Sequence, residues 1–509
     1  MSTPKKYAWI FLSLTLTLIL SCTIYPGLEN SSQSPGITPF PDTSRDAAPN
    51  DPYFRATHQP GMVENTPTLD SPHTLPLISD KPASYTIQSG DTLKTIARKF
   101  GVSLQQLVDV NKIENPDLIS IGTKLTIPLP NPLPALPPFK IIPDSELVDG
   151  PTLKFFDLSQ FIQLQKGYLS TYSETVDGQL LTGEEIINRV AIENSVNPRL
   201  LLALLEYQSG WVTRPNPAQK SLDYPVGYAN SYYKGLYRQL SWAANSLNRG
   251  YYLWKINALK SWILPDGSNL LPNPTLNAGT VGVISFFAEL DSLNDWVKAI
   301  SRPGLFSTYQ ALFGDPFDYA VEPLIPTALV QPPMQLPFEN DAVWSFTGGP
   351  HEGWADGSAW AALDFAPPGE GKGCVDSDAW VTAVADAKVV YARFGVVILD
   401  LDQDGYQQTG WSVLYLHIAT RDRVAAGAVV KAGDRLGHPS CEGGVANGTH
   451  VHLARRYNGE WISADGDLPF KLDGWISSGD GTQYNGVLKK GNYAVEAWDS
   501  QKPENQIHR

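Results

Sequence analysis

Four of the chain's eight histidines, and one aspartate among them, have the residue types and spacing to hold a metal ion. The sharpest feature is Thr449-His450-Val451-His452, which follows a Gly/Asn-rich turn (Gly443, Gly444, Asn447, Gly448) and runs into Leu453. Turn residues followed by apolar alternation predict a β-strand, on which side chains two apart point to one face. His450 and His452 then present two imidazoles on one surface, as a metal site needs and most other uses of histidine do not. Upstream, His351 lies in Gly348-Gly349-Pro350-His351-Glu352-Gly353, Asp364 in Leu363-Asp364-Phe365-Ala366-Pro367, and His417 in Leu414-Tyr415-Leu416-His417-Ile418.

The elements that must position these residues are short strands broken by Gly and Asp, from about Phe338 to the end. The clearest are 381–384, 388–394, 396–400, 413–418 and 449–454. They predict an antiparallel, all-β C-terminal domain over 338–509. A His, an Asp after it, Tyr415-x-His417 on a middle strand and a final His450-x-His452 resemble, in order, the lysostaphin/LytM-type zinc metalloendopeptidases. Val381 to Val390 and Lys431-Ala432-Gly433-Asp434-Arg435-Leu436-Gly437 fit the same pattern. One departure is the length between the first His and the Asp, because residues 352–363 intervene. Asp356 is nearer the usual spacing, but the Asp-Phe-Ala-Pro-Pro-Gly context belongs to Asp364. We read 352–363 as an inserted loop, with Trp354 and Trp360 lining the cleft or packing its hairpin.

The resemblance implies Zn2+ held by His351, Asp364 and His452, with a fourth position open to water. It implies His450 as the group that takes the water's proton and His417 as the donor to the oxyanion; the sequence does not order those two roles. His438 is expected in a loop role. Asp400-Leu401-Asp402-Gln403-Asp404-Gly405 resembles the start of a calcium loop, but Trp411 stands where that loop needs an acidic residue, so the stretch is read as an Asp-Gly hairpin turn.

A length of 509 residues exceeds one core and predicts several domains. A net charge of −14, with no basic stripe, excludes nucleic acid as a partner. Lys5 and Lys6 followed by an apolar run to Leu20 and then Ser21-Cys22 predict an export signal over 1–22. Its end resembles a lipoprotein lipobox, although Leu20 departs from the small residue usual there, and this implies acylation of Cys22 and a membrane anchor. An uncleaved anchor would give the same topology. Export permits a disulfide, and the other two cysteines, Cys374 and Cys441, are expected to pair; two free buried thiols are the alternative.

Residues 23–82, rich in Pro, Ser, Thr, Asn and Asp, read as a disordered tether in which His58 and His73 are solvated. Residues 83–129 give strand, helix, helix, strand, with Asp91 as a cap and Ser103 and Gln106 as a capping box. This unit resembles a LysM domain, a family that binds N-acetylglucosamine-containing glycan. The resemblance places the groove at Gly90, Asp91 and Thr92 and at Asn115, Pro116, Asp117, Leu118 and Ile119.

Residues 130–150 and 321–337 are Pro-rich and read as stiff spacers. Between them, 151–320 is an all-α domain. Thr182-Gly183-Glu184-Glu185 is a capping box, and Pro198 opens a helix apolar almost all round from Leu200 to Leu205. Asn197 to Trp211 resembles the active-site helix of lysozyme-like lytic transglycosylases, but Gln208 holds the place of the catalytic acid. Glu206 lies on another side of the helix. Trp211, Tyr228, Tyr232 and Tyr233 are candidates to hold a sugar strand, or to pack in the core.

The sequence thus leads to an exported, lipid-anchored zinc endopeptidase that cuts peptide bonds in peptidoglycan stems or cross-links, with LysM supplying glycan affinity. The alternatives are a non-catalytic wall-binding or hydrolase-activating protein, or a lytic transglycosylase working through the helical domain. Oligomeric state and the bond cleaved are not legible.

Overall fold

The computed structural model describes residue 73 and residues 83–88, 91–100, 102–116, 119–128, 136–369 and 373–509. The expected export signal, Cys22, Gly90, Asp117 and Leu118 lie outside the described residues, as does the tether except His73. That histidine is half-buried rather than free in solvent: its ring stacks on Trp254 with centroids 3.9 Å apart, and its backbone N–H donates to the Pro274 carbonyl.

The LysM-like unit pairs β1 (Ala83–Thr86) antiparallel with β2 (Lys124–Ile127) and packs α1 (Leu93–Phe100) and α2 (Leu104–Asn111) on them. Ser103 and Gln106 form the reciprocal cap of α2. Asn111 fixes α2 to β2 by donating to the Leu107 and Thr126 carbonyls and accepting from Thr126 N–H. Asp91 does not cap α1 as expected: it accepts from the Tyr85 hydroxyl and from Gln88 N–H, while Thr92 Oγ1 accepts from Thr95 N–H at the start of the helix.

The helical body comprises α3 (Leu158–Gln165), a hairpin of β3 (Ser173–Val176) and β4 (Gln179–Thr182), and then α4 (Gly183–Asn194), α5 (Pro198–Ser209) and α6 (Leu236–Lys255). A small pair, β5 (Trp262–Ile263) and β6 (Asn269–Leu270), precedes α7 (Ala278–Ala288), α8 (Leu293–Ala299) and α9 (Ser307–Phe313). Helix α5 is central because Leu200 to Leu205 are apolar on every side, and all six are fully buried. Its end is capped by Gly210 in the left-handed region, and Glu206 accepts from Val212 and Thr213 N–H.

Two expectations fail here. The first proline-rich segment is not a spacer throughout: Ile141, Ile142, Leu147 and Val148 are fully buried in the helical core, and Glu146 accepts from Arg199, Asn197 and Thr152 inside it. Apolar pairs that can be buried outweigh the stiffness of the prolines around them. In the second segment, Met334 and Leu336 are likewise buried against the C-terminal sheet. Trp211 is no sugar platform, since it is sealed in the core with its indole N–H on Ser221, while Tyr228 lies flat against Trp242 at 4.1 Å.

The C-terminal part is built on β7 (Val343–His351), β8 (Ala362–Ala366), β9 (Val381–Thr382), β10 (Ala387–Arg393), β11 (Val396–Asp400), β12 (Trp411–Leu416), β13 (Val429–Val430), β14 (Arg435–Gly437), β15 (Val451–Tyr457) and β16 (Glu460–Trp461). The strands β17 (Lys471–Leu472), β18 (Trp475–Ser478), β19 (Val487–Lys490) and β20 (Tyr493–Glu496) form a second, four-stranded sheet, and β21 (Gln506–His508) ends the chain. The main antiparallel sheet has nine strands in the order β13-β10-β11-β12-β15-β8-β7-β21, with β16 paired to β15.

Alternation sorts this sheet's side chains onto two faces. Leu363, Phe365, Leu399, Val413, Tyr415 and Leu453 share one core within the β domain. Ala362, Val396, Ile398, Leu414, Leu416 and Ala454 join the core of the helical body instead. The two parts are therefore not beads on a spacer but halves of one packed interface. Polar contacts seal it: Ser195 Oγ donates to Gly459 O at 2.6 Å, Trp461 Nε1 to Asn194 O at 3.2 Å and Arg456 Nη2 to Glu193 O at 3.3 Å.

Candidate metal centre

The three central strands and the end of β7 bring the chemistry together. His452 on β15 stands opposite Asp364 on β8 and, on its other side, opposite Leu416 on β12. By alternation Asp364 and His452 share the sheet face of Ala362 and Ala454, the face that carries the helical body. His351 ends β7, where irregular pairing with β8 turns it toward Asp364. Gly348 is needed for this approach, because a Cβ there would lie 2.7 Å from Asp364 Oδ2.

His351 Nε2 lies 3.0 Å from His452 Nδ1, and each nitrogen lies 3.2 Å from Asp364 Oδ1. The far nitrogens are both committed. His351 Nδ1 donates to Gly349 O at 2.8 Å, and His452 Nε2 donates to Gly353 O at 3.1 Å. In their neutral forms both rings thus turn lone pairs inward. Asp364 Oδ1, buried, has no hydrogen-bond donor. Three acceptors facing one another fit a cation, and metal–ligand bonds of zinc length set tetrahedral ligand atoms ~3.3 Å apart. Carbonyls behind the imidazoles fix their tautomers in the manner of metal-binding histidines. This donor set, two nitrogens and one carboxylate, suits zinc.

Burial works against the charge on Asp364, but His351 and His450 outweigh it and hold the carboxyl well below its usual range. Burial likewise works against a proton on His351, yet Asp364 raises that ring above the ordinary imidazole value. His452 is lowered, chiefly by burial.

His450 directly precedes β15; its Nδ1 donates to Gly448 O at 2.7 Å and its Nε2 lies 3.8 Å from Asp364 Oδ2. His417 follows β12 in the left-handed region (φ 67°), which aims its ring at His450 with centroids 4.5 Å apart. Strain of this kind at a non-glycine residue is typical of functional positions. His417 Nδ1 donates to Glu442 O at 2.9 Å. Burial first, then His450 and His452, push it down to about 3. Burial and the neighbouring imidazoles thus hold this ring neutral in the metal-free protein.

Cys374 and Cys441 are joined with S–S 2.04 Å, which ties the loop before β9 to the segment that carries Ser440 and Glu442. Ser440 N–H and Oγ both donate to the His417 carbonyl, so the bridge lies one residue from the contact that sets this histidine. His438, away from the triad, packs at a tilt against Trp380.

Two contributors were invisible in the sequence. The inserted loop presents Gly353 O to His452 and is itself held by the helical body. Asp356 pairs with Arg249 at 2.7 Å and Asn245, and therefore takes no part in the metal site. Trp354 packs against the helical core. Tyr484, in the turn between β18 and β19, stacks over His351 with centroids 4.3 Å apart. Burial, then Asp364 and Glu352, push its phenol up to about 12, so it stays an O–H donor. An open cleft of ≈ 1930 Å³ reaches Asp364 and His450, with Tyr484, Asp376, Trp498 and Lys502 on its walls. In the LysM-like unit, Asp91 and Thr92 sit on the first loop, and Asn115, Pro116 and Ile119 on the second.

Residues 140–327 match the family model of the LasA N-terminal domain, and residues 85–128 match that of the LysM domain. Protease LasA of Pseudomonas aeruginosa is 25% identical over 306 residues, which cover 56% of this chain and 69% of that protein. The chain is LasA-like and carries a LysM domain. N-acetylmuramoyl-L-alanine amidase XlyA of Bacillus subtilis is 46% identical over 48 residues, 9% of this chain and 16% of that protein. A solved structure of pseudoalterin, described as an M23 metalloprotease from the deep sea, is 20% identical with a TM-score of 0.29, covering 36% of this chain and 100% of that one. The LasA-like match spans the whole helical body, including the proline-rich stretch buried in its core.

Proposed function

We propose that the protein is a zinc-dependent metalloendopeptidase that hydrolyses peptide bonds in peptidoglycan stems or cross-links, with its LysM unit holding N-acetylglucosamine-containing glycan. The observation that carries this reading is the triangle of His351 Nε2, His452 Nδ1 and Asp364 Oδ1, three mutually facing acceptors with no donor on the carboxylate oxygen. These residues would hold the ion. When bound, it supplies Lewis acidity to a scissile carbonyl and acidifies a water.

The chain's own groups do the rest. His450, with Nδ1 on Gly448 O and Nε2 turned toward the triad, takes the water's proton and returns it to the leaving amine. His417, whose ring lies against His450 with centroids 4.5 Å apart, stabilises the developing oxyanion. Tyr484 holds the His351 ring in plane.

Glycan cleavage by the helical body is not part of the proposal, although its helix α5 resembles that of the lytic transglycosylases. Gln208 offers no proton, and Glu206 is occupied by Val212, Thr213 and the Thr213 hydroxyl. Export, with an acyl anchor at Cys22, would place the enzyme beside the wall. Among the described residues no helix is long and apolar enough to cross a membrane.

The test is metal content and digestion of purified peptidoglycan. One zinc per chain, with new amino termini that a chelator abolishes, supports the reading. A zinc-free protein that yields none favours a wall-binding role, and anhydro-sugar products that survive the chelator would favour the transglycosylase.

A further inference from the structure

The β11–β12 connection carries a second carboxylate cluster that the proposed reaction does not use. It is not a tight Asp-Gly hairpin: β11 ends at Asp400, β12 begins at Trp411, and residues 401–410 loop out between them. Asp400, Asp402 and Asp404 bring one carboxylate oxygen each to within 4.8 Å of one another.

What separates this cluster from an ordinary acidic surface is Asp400, whose carboxylate is wholly buried. Its Oδ2 accepts from Gly405 N–H at 2.8 Å, but its Oδ1 has no donor. Burial, then the neighbouring Asp402 carboxyl, push Asp400 up to about 7. The other donors serve the outer members: Lys154 Nζ lies 3.1 Å from Asp404 Oδ2, Thr409 Oγ1 donates to the same oxygen at 2.9 Å, and Tyr406 N–H donates to Asp404 Oδ1. A buried carboxylate with one oxygen lacking a donor, beside further carboxylates, is costly unless a cation joins it.

We propose that the 400–410 loop binds a divalent, oxygen-seeking cation of the calcium type through Asp400, Asp402 and Asp404. Every donor is oxygen, which selects a hard cation over zinc. The Asp-x-Asp-x-Asp-Gly spacing turns alternate carboxylates to one point, and Gly405, at φ 96°, makes the turn that a side chain would strain. With Trp411 in place of a terminal acid, backbone carbonyls and water complete the coordination. The loop also reaches the helical body: Gln407 and Gln408 donate to the buried Asp149, and Asp404 pairs with Lys154. The ion thus braces the seam between that body and the sheet, far in role from the zinc triad.

The test is calorimetric titration of the full-length, zinc-loaded protein with calcium chloride, together with thermal unfolding in the same buffers. One calcium per chain is expected, with a dissociation constant no weaker than about 10⁻³ M, the range of extracellular calcium modules. The unfolding temperature is expected to rise with calcium. Asp402→Asn, at an exposed position that keeps the fold, should weaken binding about tenfold or more. Asp400→Asn should abolish it, while His452→Ala should leave it intact. No calcium heat and no thermal shift would overturn the proposal, as would a shift unchanged in Asp402→Asn. A stability that follows pH near neutrality and ignores calcium would also overturn it, since a proton shared by Asp400 and Asp402 would then do the cation's work.

Discussion

Asp364→Asn separates the stability of the metal-free site from its affinity for metal. In the wild type Asp364 Oδ1 stands 3.2 Å from both His351 Nε2 and His452 Nδ1 without a donor. An amide nitrogen in that place carries two N–H groups, one for each imidazole lone pair. Leaving a buried polar atom unpaired costs about 1–3 kcal/mol, so the metal-free variant should gain stability of that size. The gain depends on pH. His351, raised by Asp364, contributes stability that is full below the ordinary histidine value and is lost as pH rises through its raised one. At low pH the His351 proton fills the triangle in the wild type and the variant has no advantage. At alkaline pH above that raised value, with the proton gone, chelated Asp364→Asn should be the more stable protein by about 1–3 kcal/mol. Zinc affinity moves the other way. A neutral amide that turns donors inward should cost at least about 100-fold, the upper end of what losing even an outer-shell partner costs. Denaturant titration of the chelated proteins at both pH values, with zinc measured after desalting, reads both effects. Retained stoichiometric zinc would refute the reasoning, and so would a chelated variant less stable than the wild type at alkaline pH.

His417→Ala and His450→Ala should each keep zinc while turnover falls about 10²–10⁴-fold, as expected for loss of an oxyanion-stabilising or proton-transfer group; loss of zinc in either would move that residue into the ligand set. Leu414→Ala removes a side chain that the sheet gives to the helical core, and should cost about 2–5 kcal/mol, with helical and β-sheet probes falling in one transition. Two separate transitions would show the parts to be independent. Replacing Cys374 and Cys441 by serine opens a crosslink between residues 67 apart and should lower stability by about 4 kcal/mol on the chain-entropy model, checked by denaturant titration with and without reductant.

The parts of the site that obey a local rule were legible in the sequence. Alternation along Thr449 to Leu453 and the motif around Asp364 pointed to the residues that the structure brings together. The cap of α2 followed from Ser103 and Gln106. What was lost depends on contacts between distant segments. Tyr484 reaches His351 only because two sheets meet there, and Gly353 reaches His452 only because the helical body clamps the inserted loop through Asp356. The shared core leaves a trace in the sequence. Val396 to Leu399 and Val413 to Leu416 are apolar at successive positions, not alternate ones, as expected of strands buried on both faces. Ile141-Ile142 and Leu147-Val148 likewise marked a buried segment inside what proline content suggested was a spacer.

That doubly covered sheet bears on how the protein would respond to a protease. A cut within residues 321–337 would sever the covalent connection between helical body and sheet but would not separate them, because Ile398, Leu414, Leu416 and Ala454 would still be buried among helical side chains. The two fragments would co-purify under native conditions and part only in denaturant. Size on a denaturing gel and size in solution would then disagree for the nicked protein, and the intact mass in solution would be the guide to whether the face bearing Asp364 and His452 has been uncovered.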